Sequence, residues 1–148
     1  MSITIRTAVL TDVSEIEHIA EESGLSPWAR QGYLDEIERP DSIFLTAETP
    51  DCLVSGFVVG RFVPGLEAEI YNIAVAKQLR RRGLGRELLA EFISRCKAKR
   101  VEKIWLEVRQ SNVNAVSFYK KLGFIKISVR PGFYNAPVEN AVIMGLEI

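Results

Sequence analysis

Between Lys77 and Arg86 the chain carries Lys77, Arg80, Arg81, Arg82 and Arg86 without one acid, and two glycines sit among them in Arg80-Arg81-Arg82-Gly83-Leu84-Gly85-Arg86. Glycine lets a backbone close on a ligand, and the free amides of a helix start point at it, so a glycine loop between a strand and a helix is a cradle for an anion. Two phosphate loops are excluded by residue type. The dinucleotide fingerprint needs a third glycine where Leu88 stands, and a Walker loop needs Lys then Ser or Thr where Arg86 and Glu87 stand. What remains is a pyrophosphate held by amides and arginines, beside the plainer reading of a glycine turn leading into a solvated basic helix start.

Other residues have two readings each. Glu107 lies between apolar Leu106 and Val108 and, from spacing alone, is a strand carboxylate paired with Arg109 or Lys103. Tyr119, beside Phe118 and Leu122, has the spacing of a core aromatic. Glu67, Glu69 and Tyr71 alternate onto one strand face, either solvated or suited to a cation. His18 is the only histidine and reads as a surface residue of the first helix. Cys96 falls on a core stripe and Cys52 in a turn, so neither is placed as an acyl-carrying nucleophile, and no metal-ligand constellation exists.

The elements that must position these residues follow from periodicity. Ile3 and Ile5 alternate as in a half-buried strand, and Thr11-Asp12 opens an amphipathic helix bearing Val13, Ile16, Ile19 and Ala20. Ser26-Pro27 signals a second helix, with Tyr33, Leu34 and Ile37 on it and Pro40 closing it. Ile43 to Ala47 and Leu53 to Phe62 read as a hairpin across Thr49-Pro50-Asp51, and Ala68 to Val75 as a further strand. A helix begins near Leu84, with Leu84, Leu88, Leu89, Phe92, Ile93 and Cys96 on one stripe. Ile104 to Val108 is a strand. Asn112 caps a helix bearing Ala115, Phe118, Tyr119 and Leu122, which Gly123 stops. Phe124 to Val129 and Ala141 to Ile148 are the last strands. The expected order is β-α-α-β-β-β-α-β-α-β-β, an α/β class with a mixed sheet covered by helices.

The 148 residues, 47% hydrophobic and 26% charged, suit one domain spanning 1–148. The 19 basic and 19 acidic residues leave no net charge, which argues against a general nucleic-acid binder. No apolar run approaches the roughly 20 residues of a membrane span, and nothing at Met1 to Arg6 marks export, so a cytoplasmic protein is expected.

Arg80-x-x-Gly83-x-Gly85 after Ile70-Tyr71-Asn72-Ile73-Ala74-Val75 resembles the acetyl-coenzyme A motif of the GNAT N-acetyltransferases. Trp105-Leu106-Glu107-Val108-Arg109 with Ser111-Asn112, then Phe118-Tyr119-x-x-Leu122-Gly123-Phe124, is similar to the RimI-type branch, the N-terminal alanine acetyltransferases of ribosomal proteins. Ser26-Pro27-Trp28 and Phe133-Tyr134 extend the likeness over nearly the whole chain. That branch carries two adjacent tyrosines before a proline where Phe133-Tyr134, then Asn135 and Ala136, stand here.

The resemblance implies a GNAT fold and transfer of acetyl from acetyl-coenzyme A to a protein α-amine, such as the N-terminal alanine of a ribosomal protein, by direct attack in a ternary complex. No metal is implied. A small-molecule amine acceptor and a non-catalytic coenzyme A-binding module are the alternatives. It implies Glu107 as general base and Tyr119 as the acid that protonates the departing thiolate. The cosubstrate would be held by Ile73, Ala74 and Val75 on a splayed strand, by Arg80, Arg81, Arg82, Gly83, Leu84, Gly85 and Arg86, and by Asn112 and Tyr119. Trp28, Tyr33, Glu69, Tyr71 and Tyr134 would form the acceptor groove, the last on a late loop. An α-amine titrates at about 7.7 to 8 against about 10.4 for lysine, so a modest base suffices for a peptide N-terminus.

Overall fold

The computed structural model describes residues 2–25 and 28–148. The Ser26-Pro27 helix signal therefore lies outside the described residues. Alternating apolar residues build β1 (Thr4–Thr7), which leads through a single 3-10 turn (Leu10–Asp12) into α1 (Val13–Glu22), where Val13, Ile16, Ile19 and Ala20 are buried on one stripe. Helix α2 (Arg30–Glu38) starts after extended Ala29, and the chain turns away before Pro40. Strands β2 (Ser42–Thr49) and β3 (Cys52–Phe62) form the expected hairpin, with Thr49 paired to Cys52 across Pro50 and Asp51. Then follow β4 (Glu67–Val75), a second 3-10 turn (Lys77–Leu79), α3 (Leu84–Ala98), β5 (Lys103–Arg109), α4 (Val113–Lys121), β6 (Ile125–Tyr134) and β7 (Glu139–Glu147). The order is the one expected from periodicity. Asn112 caps α4 by accepting from the Ala115 amide at 3.1 Å, and Gly123 stops it at a φ of 100°.

The seven strands form one sheet in the order β1-β2-β3-β4-β5-β7-β6, antiparallel except for β4 and β5. Helices α3 and α4 cover one face, where Leu84, Leu88, Leu89, Phe92 and Cys96 pack on Leu45, Val58, Ile70, Ile104 and Leu106. Helices α1 and α2 cover the other, packing on Phe44, Phe57, Val59 and Ala74. Burial of this apolar surface on both sides of the sheet is what fixes the strand register.

Two irregularities shape the centre. The β3–β4 register steps from Val59↔Asn72 to Gly60↔Ile70, so Tyr71 is an extra residue on β4. The bulge shifts the side-chain phase: Ala68 and Ile70 face α3, and so do Ile73 and Val75 beyond it. The strand expected from Ala68 to Val75 is present as β4, with this bulge inside it. Gly60 suits the bulge, because a Cβ there would run into the Glu69 carbonyl oxygen and sit 2.7 Å from the Phe92 ring. The second irregularity is that the β4–β5 ladder ends at Ile70↔Leu106 although β4 runs on to Val75 and β5 to Arg109. The two strands part there, while β5 stays paired with β7 as far as Arg109↔Ala141.

Candidate active site

The parting of β4 from β5 opens a cavity of about 490 Å³ through the middle of the sheet. Because β4 keeps β3 on one side and loses β5 on the other, the β5-facing edge of Tyr71–Val75 has backbone groups with no strand partner. Tyr71, Asn72 and Ile73 line the cavity along that edge. Unpaired amides here fit a ligand with carbonyl groups of its own. Ala74, by contrast, is buried toward α1 and α2, and the Val75 side chain packs on the α3 core, so any part they play in binding is their backbone's.

At the end of β4 the chain enters the basic loop. Arg81 (φ 63°) and Gly83 (φ 87°) both take the left-handed conformation, Gly83 as the residue before α3. No side chain caps α3, so its first amides are open to an incoming group, and Arg81, Arg82 and Arg86 are exposed with no carboxylate partner among the described residues. An anion such as a pyrophosphate fits this arrangement. Leu84 and Gly85 can offer only their amides, Leu84 having its side chain fully in the core. Arg80 is engaged within the protein: it donates to the Val75 carbonyl at 3.1 Å and to Ser23 Oγ at 3.0 Å, tying the loop to β4 and to the end of α1.

A second set of side chains lies on the opposite face. On β5, Ile104, Leu106 and Val108 point into the α3 core, which leaves Trp105, Glu107 and Arg109 on the face toward α1 and α2. Glu107 lines the cavity with its side chain only 10% exposed. Its ion-pair partner is Arg130 at 2.8 Å, reached across the sheet from β6, rather than Arg109 or Lys103. Glu69 and Tyr71 line the same cavity from β4. Burial first, and then the Glu107 carboxylate, push the Glu69 carboxyl up to about 7.

Tyr119 reaches the cavity from α4 and is buried, as its core-like spacing suggested, yet its hydroxyl makes no hydrogen bond among the described residues. Burial and the nearby Tyr134 both push its phenol above the usual range. Asn112 combines its capping role with a place in the cavity wall.

Trp28 also lines the cavity, with its ring 6.0 Å from that of Tyr71 and 5.2 Å from that of Tyr33. Tyr33 is 1% exposed, packed against Phe44 and Phe57, and does not line this cavity. The apolar stripe of α2 turns it into the core beneath Trp28. Tyr134 lies in the wall as expected, but on the last residue of β6, paired with Glu139, rather than on a loop. Arg61, Arg109, Arg130 and Phe133 are contributions that sequence reading missed. Glu36 grips Arg61 at 2.8 and 3.1 Å, and the Arg61 guanidinium lies 5.3 Å from the centre of the Tyr71 ring. Arginines flanked by strand residues were the available signal, but their partners lie 23 to 30 residues away in the chain.

Among the described residues no cluster of His, Cys, Asp and Glu could hold a metal ion, and no helix is long and apolar enough to cross a membrane. His18 is exposed, beside Glu22 at 3.6 Å, and Cys96 is buried in the core.

Known proteins resemble this chain in both sequence and fold. A [Ribosomal protein bS18]-alanine N-acetyltransferase of Salmonella typhimurium is 34% identical, over 98% of this chain and 97% of its own length. The crystal structure of the ribosomal-protein-S18-alanine N-acetyltransferase from Escherichia coli superposes with a TM-score of 0.89 at 31% identity, over 99% of this chain and 94% of that one. Ard1 from Thermoplasma volcanium gives 0.91 at 32% identity, over 100% and 99%. Residues 13–124 match the model of the Acetyltransferase (GNAT) family, from the start of α1 to just beyond the end of α4. On sequence and fold together, this chain belongs to the GNAT acetyltransferase family.

Proposed function

We propose that this protein transfers acetyl from acetyl-coenzyme A to the α-amine of an N-terminal alanine, with a ribosomal protein of the bS18 type as acceptor. The observation that carries the reading is that Glu107 and Tyr119, borne on different elements, line one cavity where two strands part. The likeness in sequence to enzymes named for bS18 alanine acetylation, nearly end to end, supports the acceptor class.

In this mechanism the diphosphate lies on the amides opening α3, with Arg81, Arg82 and Arg86 supplying positive charge and Gly83 and Gly85 leaving room. Arg80 holds the loop in place through Val75 and Ser23. The free edge of Tyr71–Val75 receives the pantetheine arm, and an amide of that edge stabilises the negative charge developing on the acetyl oxygen. One such donor is typically worth about 3 to 4 kcal/mol. Asn112 and the start of α4 close the wall beside the sulfur.

The acceptor N-terminus enters from the face bearing Trp28, Tyr71 and Tyr134. Glu69 and Glu107 give that entrance the charge a peptide ammonium requires. Glu107 takes a proton from the attacking nitrogen, directly or through water, and Tyr119 gives its hydroxyl proton to the leaving sulfur. No cysteine lines the cavity, which suits direct attack over an acyl-enzyme. A reaction between acetyl-coenzyme A and a ribosomal protein is cytoplasmic.

The test is acetyl transfer from labelled acetyl-coenzyme A to short peptides beginning with Ala, Ser, Met or Gly, with free or blocked N-termini, beside a lysine peptide and small amines. Transfer that requires the free N-terminus and prefers alanine is the expected result. Transfer to small amines only overturns the acceptor class, and coenzyme A binding without transfer to any acceptor overturns the activity.

A further inference from the structure

A peptide N-terminus arrives as an ammonium ion and leaves as an amide, so its nitrogen sheds two protons. One must go to expose the lone pair, and the other goes as the carbon–nitrogen bond forms. Glu107 can hold only one of them at a time. The cavity contains a second carboxyl group whose surroundings are of the opposite kind.

Glu69 faces Trp105 in the last paired stretch of β4 and β5, one residue before the ladder ends, and Glu107 lies two residues further along β5 on the same face. Both residues line the cavity, but Arg130 engages Glu107 at 2.8 Å, whereas the Glu69 carboxyl makes no hydrogen bond and no ion pair among the described residues. The charges around Glu69 come from four strands. Glu107 on β5 and Glu67 on β4 favour its protonated form, while Arg130 on β6 and Arg61 on β3 oppose it. Arg61 is already committed to Glu36, and the phenols of Tyr71 and Tyr134 complete the titratable wall.

We propose that Glu69 is a catalytic residue that takes the first proton from the bound α-ammonium, leaving Glu107 to take the second. This rests on the α-amine acceptor and the Glu107 and Tyr119 roles proposed above. The first N–H proton passes to the Glu69 carboxylate. The freed lone pair bonds to the acetyl carbon, and the carbon–sulfur bond breaks. The second N–H proton goes to Glu107, and the Tyr119 hydroxyl proton goes to the sulfur. Water then carries the Glu107 proton back to Tyr119 and the Glu69 proton away, so one proton is released per amide formed.

The energetics favour this division. Burial and Glu107 bring Glu69 to about 7, close to the roughly 7.7 to 8 of an α-ammonium, so proton exchange between them is nearly balanced. An ordinary carboxylate near about 4.3 would face an uphill transfer of more than three units.

The experiment measures kcat and KM for an alanine-leading peptide from pH 6 to 9.5, at saturating acetyl-coenzyme A, in the wild type, Glu69→Gln and Glu69→Asp. The expected result is a kcat in Glu69→Gln about 10- to 100-fold lower at pH 7, shrinking to within about 3-fold by pH 9.5, where the amine enters already free. Glu69→Asp should recover part of the loss. A defect confined to KM makes Glu69 only an attractor for the ammonium and overturns the proposal, as does a kcat defect of equal size at every pH. Carboxyl carbon-13 NMR on the wild type tests it without any variant: Glu69 should titrate near 7, and titration below about 5 overturns the role. A wild type that ignores peptide α-amines sinks the acceptor reading alone. Full peptide transfer with unaltered kcat in Glu69→Gln sinks the Glu69 role alone.

Discussion

The guanidinium of Arg109 lies 4.4 Å from the centre of the Tyr134 ring and donates to the carbonyl oxygens of Asn135 and Pro137, both at 3.1 Å. Glu139, across the same turn, accepts from Arg109 at 3.3 Å and from the Ser111 amide. The end of β5 thus grips the β6–β7 turn and with it one wall of the cavity, the wall assigned above to the acceptor. Arg109→Ala removes these charge-assisted bonds and the stacking on Tyr134, interactions worth roughly 1 to 3 kcal/mol together. The expected outcome is a peptide KM raised about 10-fold with the acetyl-coenzyme A KM within about 2-fold of wild type. Steady-state kinetics with each substrate varied in turn checks this, and equal shifts in both constants would remove the assignment of Arg109 to the acceptor wall.

Gly60 tests the origin of the strand parting. A methyl group there meets both the Glu69 carbonyl and the Phe92 ring, one of them rigid backbone. Gly60→Ala should therefore destabilise the protein by roughly 1 to 3 kcal/mol and displace β4 at its bulge. Urea denaturation gives the first number. The second consequence is a lower kcat, because the unpaired edge of Tyr71–Val75 moves with the bulge. A stable variant with full turnover would show that Phe92 alone gives way.

The order of elements was legible because each is announced locally, by alternation in β1, by the β-rich runs of β2 and β3 on either side of Pro50 and Asp51, by the Leu84 to Cys96 stripe, and by the Asn112 and Gly123 signals of α4. The motif residues gathered by resemblance also meet, Glu107, Asn112 and Tyr119 in one cavity. What was hidden is non-local. The extra residue Tyr71 on β4 has no local signal, because the register step is made against Gly60 on β3, packed close to Phe92. Tyr33 sits on an apolar stripe that serves core and groove equally well, and only the packing of α2 on Phe44 and Phe57 decides between them. Likewise nothing near Glu107 in the chain announces Arg130, 23 residues on.

Asp12 gives a stability prediction with a definite sign. Its side chain is 1% exposed, and burial alone would push the carboxyl up, but Arg6 at 2.8 and 3.0 Å and the Val9 amide at 2.8 Å more than offset this and hold it below its usual range. A folded pKa below the unfolded value of about 3.9 stabilises the fold fully above roughly pH 5 and is lost as pH falls through the folded value. Asp12→Asn should cost about 2 kcal/mol at pH 7 and make stability fall less steeply than in the wild type from pH 5 downward. Urea titrations at a series of pH values compare the two slopes, and parallel curves would show that Asp12 is not the group responsible.

Tyr119 must behave differently from the carboxyl groups if it serves as the acid. Burial and Tyr134 raise its phenol, so it remains fully protonated across the working range and its proton is available at every pH from 6 to 9. Tyr119→Phe should therefore lower kcat by about 10²-fold at all these pH values, without the recovery at high pH expected of Glu69→Gln. The fold should not register the change, because the hydroxyl has no hydrogen bond among the described residues while the ring, 5.5 Å from Phe124 and 5.3 Å from Phe118, stays packed. Thermal unfolding within about 0.5 kcal/mol of wild type, with kcat lost, is the required pair of results. Turnover kept above half would leave the ring as core packing and send the search for the acid to the other phenols in the wall, Tyr71 and Tyr134.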